Sequence, residues 1–469
     1  TEEGDSYTGV GFVNPDMVFI GAAISFEENS SPNGSYDKSR LVGFFGNVNY
    51  GYDNRYFLDL SFRTDGSSKF GRNSRFAPFW SVGVAWNVHK EAFWSGDEKS
   101  SLKLRASVGS TGTTNFSSTQ ALTTYNYDFS KIYNGVFGVS LAGYGNPELK
   151  WQNTISYNVG VDMTLLKGLV TFNGDFYIKN TENLLLPLTV APSTGFSSYV
   201  ENIGKLRNTG IEGRLRLNLI RDTQRDLRWN VTLSAFHNKS KITKLSNQLE
   251  EINKYANSDW YNQGTVVYRQ YEAGRSQTAL MMVRSGGIDP ATGNEVYIKR
   301  NGELTFEYDA NDKVKCGDMK PTIEGNVNTN LTWKGFTLYM LFKYQFGAKA
   351  YNGTLASKVE GANPYKNADK RVLYDRWKEP GDHAKFRRID DRTSPYQTTR
   401  LVFDNDLFSL SSVSLSYELP RDISQKIYAD RVRLMLSTTD VFRLSTIKQE
   451  RGTSYPFART FNLSLNVTF

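Results

Sequence analysis

Alternation with a period of two runs through this chain almost from end to end, the signature of strands with one apolar and one polar face. In "GFTLYMLFKYQF" the residues Phe336, Leu338, Met340, Phe342, Tyr344 and Phe346 fall on one side. Thr337, Tyr339, Lys343 and Gln345 take the other. "TIEGNVNTNLTW" sets Ile323, Val327, Leu331 and Trp333 against Glu324, Asn326, Asn328 and Asn330. "GIEGRLRLNLI" sets Ile211, Leu215, Leu217 and Leu219 against Glu212, Arg214, Arg216 and Asn218. "LVTFNGDFYIK" sets Val170, Phe172, Phe176 and Ile178 against Thr171, Asn173, Asp175 and Tyr177. The closing "RTFNLSLNVTF" alternates without a slip from Phe461 to Phe469. Helical periodicity is nearly absent. The polar faces carry charges in mid-strand, among them Asp59, Arg105, Asp162, Asp175, Arg216 and Arg433, so they meet water or polar groups. The other faces stay apolar for about ten residues, the span of a tilted strand crossing a bilayer; strands of soluble sheets average nearer six.

The segments between these runs alternate in length. Short ones are 51–55, 90–101, 166–168, 221–226, 334–335 and 420–430. Long ones are 65–76, 111–150, 181–206, 239–320, 347–406 and 440–459. Outer-membrane barrels have this asymmetry, with tight periplasmic turns and long extracellular loops. The pattern therefore predicts an all-β fold: a transmembrane antiparallel β-barrel with about 14 strands in this chain, the first near residues 17–26. A propeller would repeat at a fixed period near 40 residues, which loops of such unequal length do not allow. An open edge in lipid leaves backbone groups unsatisfied, so the last strand is expected to pair with the first. Phe469 then marks the periplasmic rim, where aromatic rings are favoured, as a barrel-closure and assembly signal.

Composition narrows the reading further. The chain has 469 residues, a formal net charge of +8 and 14% aromatic residues, with 27 Tyr and 29 Phe. Its pI is about 9.1 and its mean hydropathy −0.49. No apolar run approaches the ~18 residues of a membrane helix, which excludes a helical membrane protein. Basic residues form no clustered patch or recognition helix, so nucleic acid is not an expected partner. Cys316 stands alone and cannot form an internal disulfide. The opening "TEEGDSYTGVGFVNPD" lacks the basic start and apolar core of a signal peptide, so an exported chain is read as mature or partial.

Candidate chemistry is sparse. His89, His237 and His383 lie far apart without ligand spacing. Asp309, Asn311 and Asp312 lack the Gly and terminal Glu of a calcium loop. No nucleophile–base constellation, phosphate-cradling loop or carboxylate pair emerges, so no enzyme activity, metal or cofactor is expected. Asp65-Gly66 and Asp289-Pro290 with Gly293 read as turns, and Trp151 as part of an aromatic girdle. The longest loop holds "SDWYNQGTVVYRQYEAGR", which concentrates Trp260, Tyr261, Tyr268, Tyr271 and Arg275. Rings with polar tips stack on sugars or peptide groups, which makes these five the candidate substrate contacts. Loop self-packing and contact with another protein are the competing explanations.

Ordered motifs across nearly the whole chain resemble one family. They are "YFLDLSFRTDGSSKFGRNSRFAPFWSVGVAW" (56–86), "LKLRASVGSTGTTN" (102–115), "NPELKWQNTISYNVGVD" (146–162) and "STGFSSYVENIGKLRNTGIEGRL" (193–215). "GGIDPATGNEVY" (286–297), "GDMKPTIEGNVNTNLTWKGFTLYMLFKYQFG" (317–347), "LYDRWKEPGD" (373–382), "NDLFSLSSVSLSYELP" (405–420) and the terminal "YPFARTFNLSLNVTF" follow. Together they resemble the SusC/RagA-type TonB-dependent transporters of Bacteroidota outer membranes. The resemblance implies that residues 1–469 are the C-terminal part of a barrel of about 22 strands. By the same resemblance, the plug domain and TonB box are expected to lie outside this chain. It also implies active import of a large nutrient, an oligosaccharide or peptide, with capture under a SusD-like surface lipoprotein. Energy would come from TonB-ExbB-ExbD through the plug. The bilayer and a companion chain or segment completing the barrel are further implied partners, and a homodimer of the transporter–lipoprotein pair is compatible. A passive outer-membrane porin or a structural barrel is the alternative that the strands alone also allow.

Overall fold

The computed structural model describes residues 9–12, 23–26, 39–71, 74–97, 99–113, 121–134, 136–143, 145–189, 198–202, 204–245, 253, 270–363, 365, 367–391, 393–447 and 458–469. Thirteen strands form one antiparallel sheet. They are β1 (Leu41–Tyr52), β2 (Tyr56–Ser67), β3 (Phe76–Asn87), β4 (Ser101–Thr113), β5 (Gln152–Leu165), β6 (Val170–Glu182) and β7 (Lys205–Asp222), followed by β8 (Leu227–Lys244), β9 (Ile323–Trp333), β10 (Phe336–Phe346), β11 (Leu407–Glu418), β12 (Arg431–Ser445) and β13 (Phe461–Thr468). Each strand pairs with its neighbour in sequence, so the wall is a plain meander. The segment expected to supply a fourteenth strand is described only at Ala23–Phe26. That stretch pairs with Gly9–Phe12 in a separate ribbon, so the wall holds thirteen described strands.

Connections alternate as the sequence predicts. The ends of β1–β2, β7–β8 and β9–β10 are joined by 53–55, 223–226 and 334–335, and all long connections lie at the opposite end. The tight turns need left-handed backbone. Asp53 and Asn54 have φ of 50° and 53°, and Lys334 and Gly335 have 46° and 84°. Two consecutive positive φ values give the turn whose twist matches that of the flanking strands.

Register places the two faces. One row runs Tyr50, Leu58, Val84, Ala106, Val159, Phe176, Ile211 across β1 to β7. Another runs Leu331, Leu338, Leu415, Leu436, Leu463 across β9 to β13. The opposite face reads Asn49, Asp59, Gly83, Ser107, Asn158, Tyr177, Gly210, Asn238. Among the described residues nothing covers the apolar face: Val159 is 61% exposed and Leu463 71%. In water such a band would be an aggregation liability; against hydrocarbon it requires no cover. Aromatic rings flank it at both heights. Tyr56 stacks on Trp86 (6.5 Å) and Phe336 tilts on Tyr417 (4.4 Å) near the short turns. Phe342, Phe408 and Phe442 cluster near the long loops, with centroids 5.7 and 6.1 Å apart along the series. This is the double girdle of a membrane-spanning barrel wall. Among the described residues β1 and β13 are edges, each paired on one side only.

Three local expectations are corrected. Asp65 and Gly66 do not make a hairpin tip. Both lie within β2, flanked by β1 and β3, because the ring of Phe76 fills the space a Gly66 side chain would occupy (2.5 Å) and Asp65 pairs with Arg63 (2.6 Å). Trp151 sits in no lipid girdle. It is 7% exposed, stacks on Phe70 (4.3 Å), meets Phe79 edge-on (5.4 Å) and donates Nε1–H to the Arg75 carbonyl (3.0 Å). A bulge between Asn218 and Ile220 makes Leu219 the extra residue and ends the regular alternation there.

Candidate functional site: loops braced at the open end of the wall

The described parts of the two longest connections, 245–322 and 347–406, pack on each other. The apolar run Ala279–Met282 pairs with Val314–Asp318, and Arg284–Ile288, Glu295–Ile298 and Leu304–Thr305 form a three-stranded sheet. From the second loop, Lys349–Tyr351 pairs with Val402–Asp404. The loops join where Thr399 N–H donates to the Val283 carbonyl (3.1 Å) and Ser285 N–H donates to Thr399 Oγ1 (3.0 Å). Trp377 Nε1–H donates to the Pro290 carbonyl (2.8 Å), and the Arg388 guanidinium lies over the Trp377 ring. Gly293 is required here: its φ is +72°, and a Cβ would stand 2.5 Å from that indole. The expected turn at Asp289 is present, its carboxylate accepting from Thr292 N–H (3.0 Å) and Oγ1–H (2.6 Å).

A buried charge centre holds the assembly. Arg400 reaches Glu295 Oε2 (2.9 Å) from one loop and Glu360 Oε1 (3.0 Å) from its own. Arg387 Nε donates to the same Glu360 Oε1 (2.8 Å), and its Nη1 meets Asp391 (2.6 Å). Thr398 and Ser285 hydroxyls each donate to Glu295 Oε1 (2.7 Å). Arg376 caps the carbonyls of Arg387 (2.9 Å), Glu360 (3.2 Å) and Val359. Both glutamates are nearly sealed, at 3% and 2% exposure. Burial pulls the Arg400 guanidinium down, but Glu295 and Glu360 outweigh it and hold it above its ordinary value. Burial, reinforced by Glu295, raises the Tyr297 phenol. Tyr308 and Tyr396 stack at 4.0 Å, with Tyr297 edge-on to both.

Beside this centre opens a cleft of about 520 Å³ with an apolar floor of Leu355, Phe386, Leu401 and Phe403 and the Tyr374 ring. Two ion pairs border it, Arg371–Asp369 (2.6 Å) and Lys385–Asp375 (3.1 Å). Rings, apolar floor and balanced charge suit a polar ligand with an apolar side. On the polar face of the wall, Arg105 bridges Asp162 (2.7 Å) and Asp175 (3.1 Å).

Of the five sequence-derived contacts, Trp260, Tyr261 and Tyr268 lie outside the described residues. Tyr271 N–H donates to Asn253 Oδ1 (2.8 Å). Arg275 is ion-paired with Glu272, and its carbonyl accepts from Ile242 N–H (2.8 Å), extending the edge of β8. Phe469 follows β13 at the short-turn end and is 83% exposed. Among the described residues no group of three His, Cys, Asp or Glu side chains is placed to hold a metal. Asp309 instead caps the turn at 310–312, accepting from Asn311 N–H (2.8 Å). Sequence reasoning missed Glu295, Glu360, Arg387 and Arg400. The five-residue apolar run 279–283 inside a loop was the one available signal of a buried centre.

Known proteins fit this architecture. The profile of the family described as TonB dependent receptor-like, beta-barrel, matches residues 3–352. TonB-dependent receptor P3 of Formosa agariphila is 28% identical over 96% of this chain and 47% of its own length. TonB-dependent receptor SusC of Bacteroides thetaiotaomicron is 25% identical over 78% of this chain and 38% of its own. The chain thus spans about half the length, or less, of the curated relatives it matches. Among solved structures, the RagAB peptide importer in the closed-closed state superposes with a TM-score of 0.79 at 22% identity, covering 98% of this chain and 51% of that one. The uncovered apolar band, the two girdles and the loop asymmetry agree with these matches: the chain belongs to the TonB-dependent receptor-like β-barrel family, is of the SusC/RagA type, and resides in the outer membrane.

Proposed function

We propose that this chain forms part of the wall and the capture loops of an active importer for a large nutrient, an oligosaccharide or a peptide. Capture takes place under a SusD-like lipoprotein, and TonB with ExbB and ExbD supplies the energy. The observation that carries the reading is the braced loop assembly with its 520 Å³ cleft at the long-loop end. A simple pore gains nothing from two loops joined through buried ion pairs, whereas a receptor needs a shaped, pre-organised surface. In this reading further strands continue from β1 and β13 to a barrel of about 22. Phe469 lies at the periplasmic rim of the closing strand, and a plug from outside this chain rests against the polar face around Arg105. Trp260, Tyr261, Tyr268 and Tyr271 are the preferred substrate contacts. Arg275, engaged by Glu272, serves mainly to hold their loop.

Uptake by cells carrying the intact locus tests the proposal, with labelled oligosaccharides and peptides offered in the presence and absence of a proton uncoupler. Import is expected to stop with the uncoupler and to vanish on deletion of the locus. Uptake indifferent to the uncoupler would establish the porin alternative instead. A tagged copy is expected to carry a surface lipoprotein through purification. Unchanged substrate affinity in the Trp260→Ala, Tyr261→Ala double variant would remove those two residues from the site.

A further inference from the structure

The apolar face of the wall is not uniform. Around β6, β7 and β8 it sinks into a groove of about 500 Å³. Small residues make the depression: Gly174 lies opposite Gly213, and Gly213 opposite Ala235. Phe176, Ile211 and His237 form its end towards the long loops. The residues beyond that end, on the same face, change character abruptly. One step out Thr209 faces Lys239, and a second step out Arg207 faces Lys241. At the strand ends Lys205 faces Lys244. Each step is roughly 7 Å along a strand, with neighbouring strands about 4.8 Å apart, so these side chains converge on one small patch.

Among the described residues the patch has one counter-charge against its cluster of cations. Glu182 is the acidic side chain opposite Lys205 on this face and is ion-paired with it (2.5 Å). Arg207 donates to the neutral amide oxygen of Asn180 (2.8 Å). Lys239 and Lys241 are exposed and make no ion pair among the described residues. Like charges directly opposite one another weaken a sheet unless something neutralises them. One step nearer the middle of the wall, level with His237, the outward positions of β9 and β10 are Ile323 and Phe346, both apolar. The Ile323–Phe346 pair marks the girdle level there, which sets Lys239, Arg207 and Lys241 at the level of lipid headgroups in the leaflet on the long-loop side.

From this juxtaposition we infer a lipid site: the groove holds an acyl chain, and Arg207, Lys239 and Lys241 hold the phosphate of its headgroup. The occupant is an anionic, phosphate-bearing lipid of the outer leaflet, recognised by charge complementarity above an apolar trough. The site lies on the outside of the wall, so it stands whether or not the importer reading does.

Native mass spectrometry of the full purified transporter, released from cells in detergent, tests it. The probes are bis-phosphorylated lipid A, the same lipid without phosphates, and inorganic phosphate. The phosphorylated lipid is expected to survive as a one-to-one adduct. The triple variant Arg207→Gln, Lys239→Gln, Lys241→Gln should lower its retention about 100-fold, taking each cation near a membrane surface as a roughly fivefold effect. Arg207→Lys, Lys239→Arg, Lys241→Arg should keep it. Filling the groove with Ala235→Phe should also lower it. Equal retention of the dephosphorylated lipid, or an unaffected triple variant, would overturn the headgroup assignment. Displacement by millimolar inorganic phosphate would replace the lipid with a free anion, and indifference to Ala235→Phe would refute the acyl groove. A heat-dependent shift in gel mobility reports that each variant barrel is folded.

Discussion

Glu360 accepts from two arginines in a space with almost no water, and its backbone carbonyl takes a third. Removing one partner from such a centre strands the others, which costs about 3–5 kcal/mol in buried pairs. Glu360→Gln is therefore expected to loosen segment 347–406 by that order, measured as faster amide exchange there with the strands unchanged. Lys313 shows the cost of burial itself. It is 4% exposed, and burial pushes its amine from 10.5 down to about 8. The folded value lies below the unfolded one, so burial opposes folding wherever the unfolded chain carries the charge. That penalty is full below pH 8 and fades as the pH climbs towards 10.5. Resistance of segment 279–318 to proteolysis should accordingly rise between those two values, and Lys313→Met should flatten the dependence. Glycines matter at the same scale. A Cβ on Gly325 would lie 1.9 Å from the Ser234 carbonyl oxygen, under a Tyr344 ring whose hydroxyl donates to that oxygen (3.0 Å).

Among elements, the strands were legible because alternation is a local property that register cannot hide. "GFTLYMLFKYQF" reads correctly residue by residue: Phe336, Leu338 and Met340 do align with Tyr417, Leu415 and Val413 on one face. Leu338→Arg should destabilise the barrel by about 2–4 kcal/mol, while Asn328→Arg on the other face should be tolerated, both read from unfolding in lipid vesicles. Equal effects would contradict the assignment of faces. The loops were opaque for a physical reason. Glu295 and Arg400 are 105 residues apart and meet only because two loops fold together, and no periodicity carries that information. Trp151 illustrates a subtler miss. An aromatic beside a strand suits a girdle or a small core equally well, and the distant Phe70 and Phe79 decided for the core. Gly66 looked like a turn because glycine permits one, but here it makes room for Phe76.

At the scale of the whole molecule, one orientation accounts for the girdles, the loop lengths and the position of the braced assembly. With Cys316 changed to Ser, a cysteine at Glu379 should react with an impermeant maleimide on intact cells. One at Lys334 should react only after the outer membrane is opened. The reverse pattern would invert the topology. The strand order has a further consequence for assembly. Because each described wall strand pairs with the next wall strand along the chain, the described wall can grow hairpin by hairpin from any nucleus. Lengthening a connection raises the entropy of closing it only logarithmically, so the large insertions cost the growing sheet little. Biogenesis should thus be forgiving of trimmed or expanded loops and intolerant of a slip at Asp53-Asn54 or Lys334-Gly335, where a single residue gained would turn the greasy side of the next strand inwards.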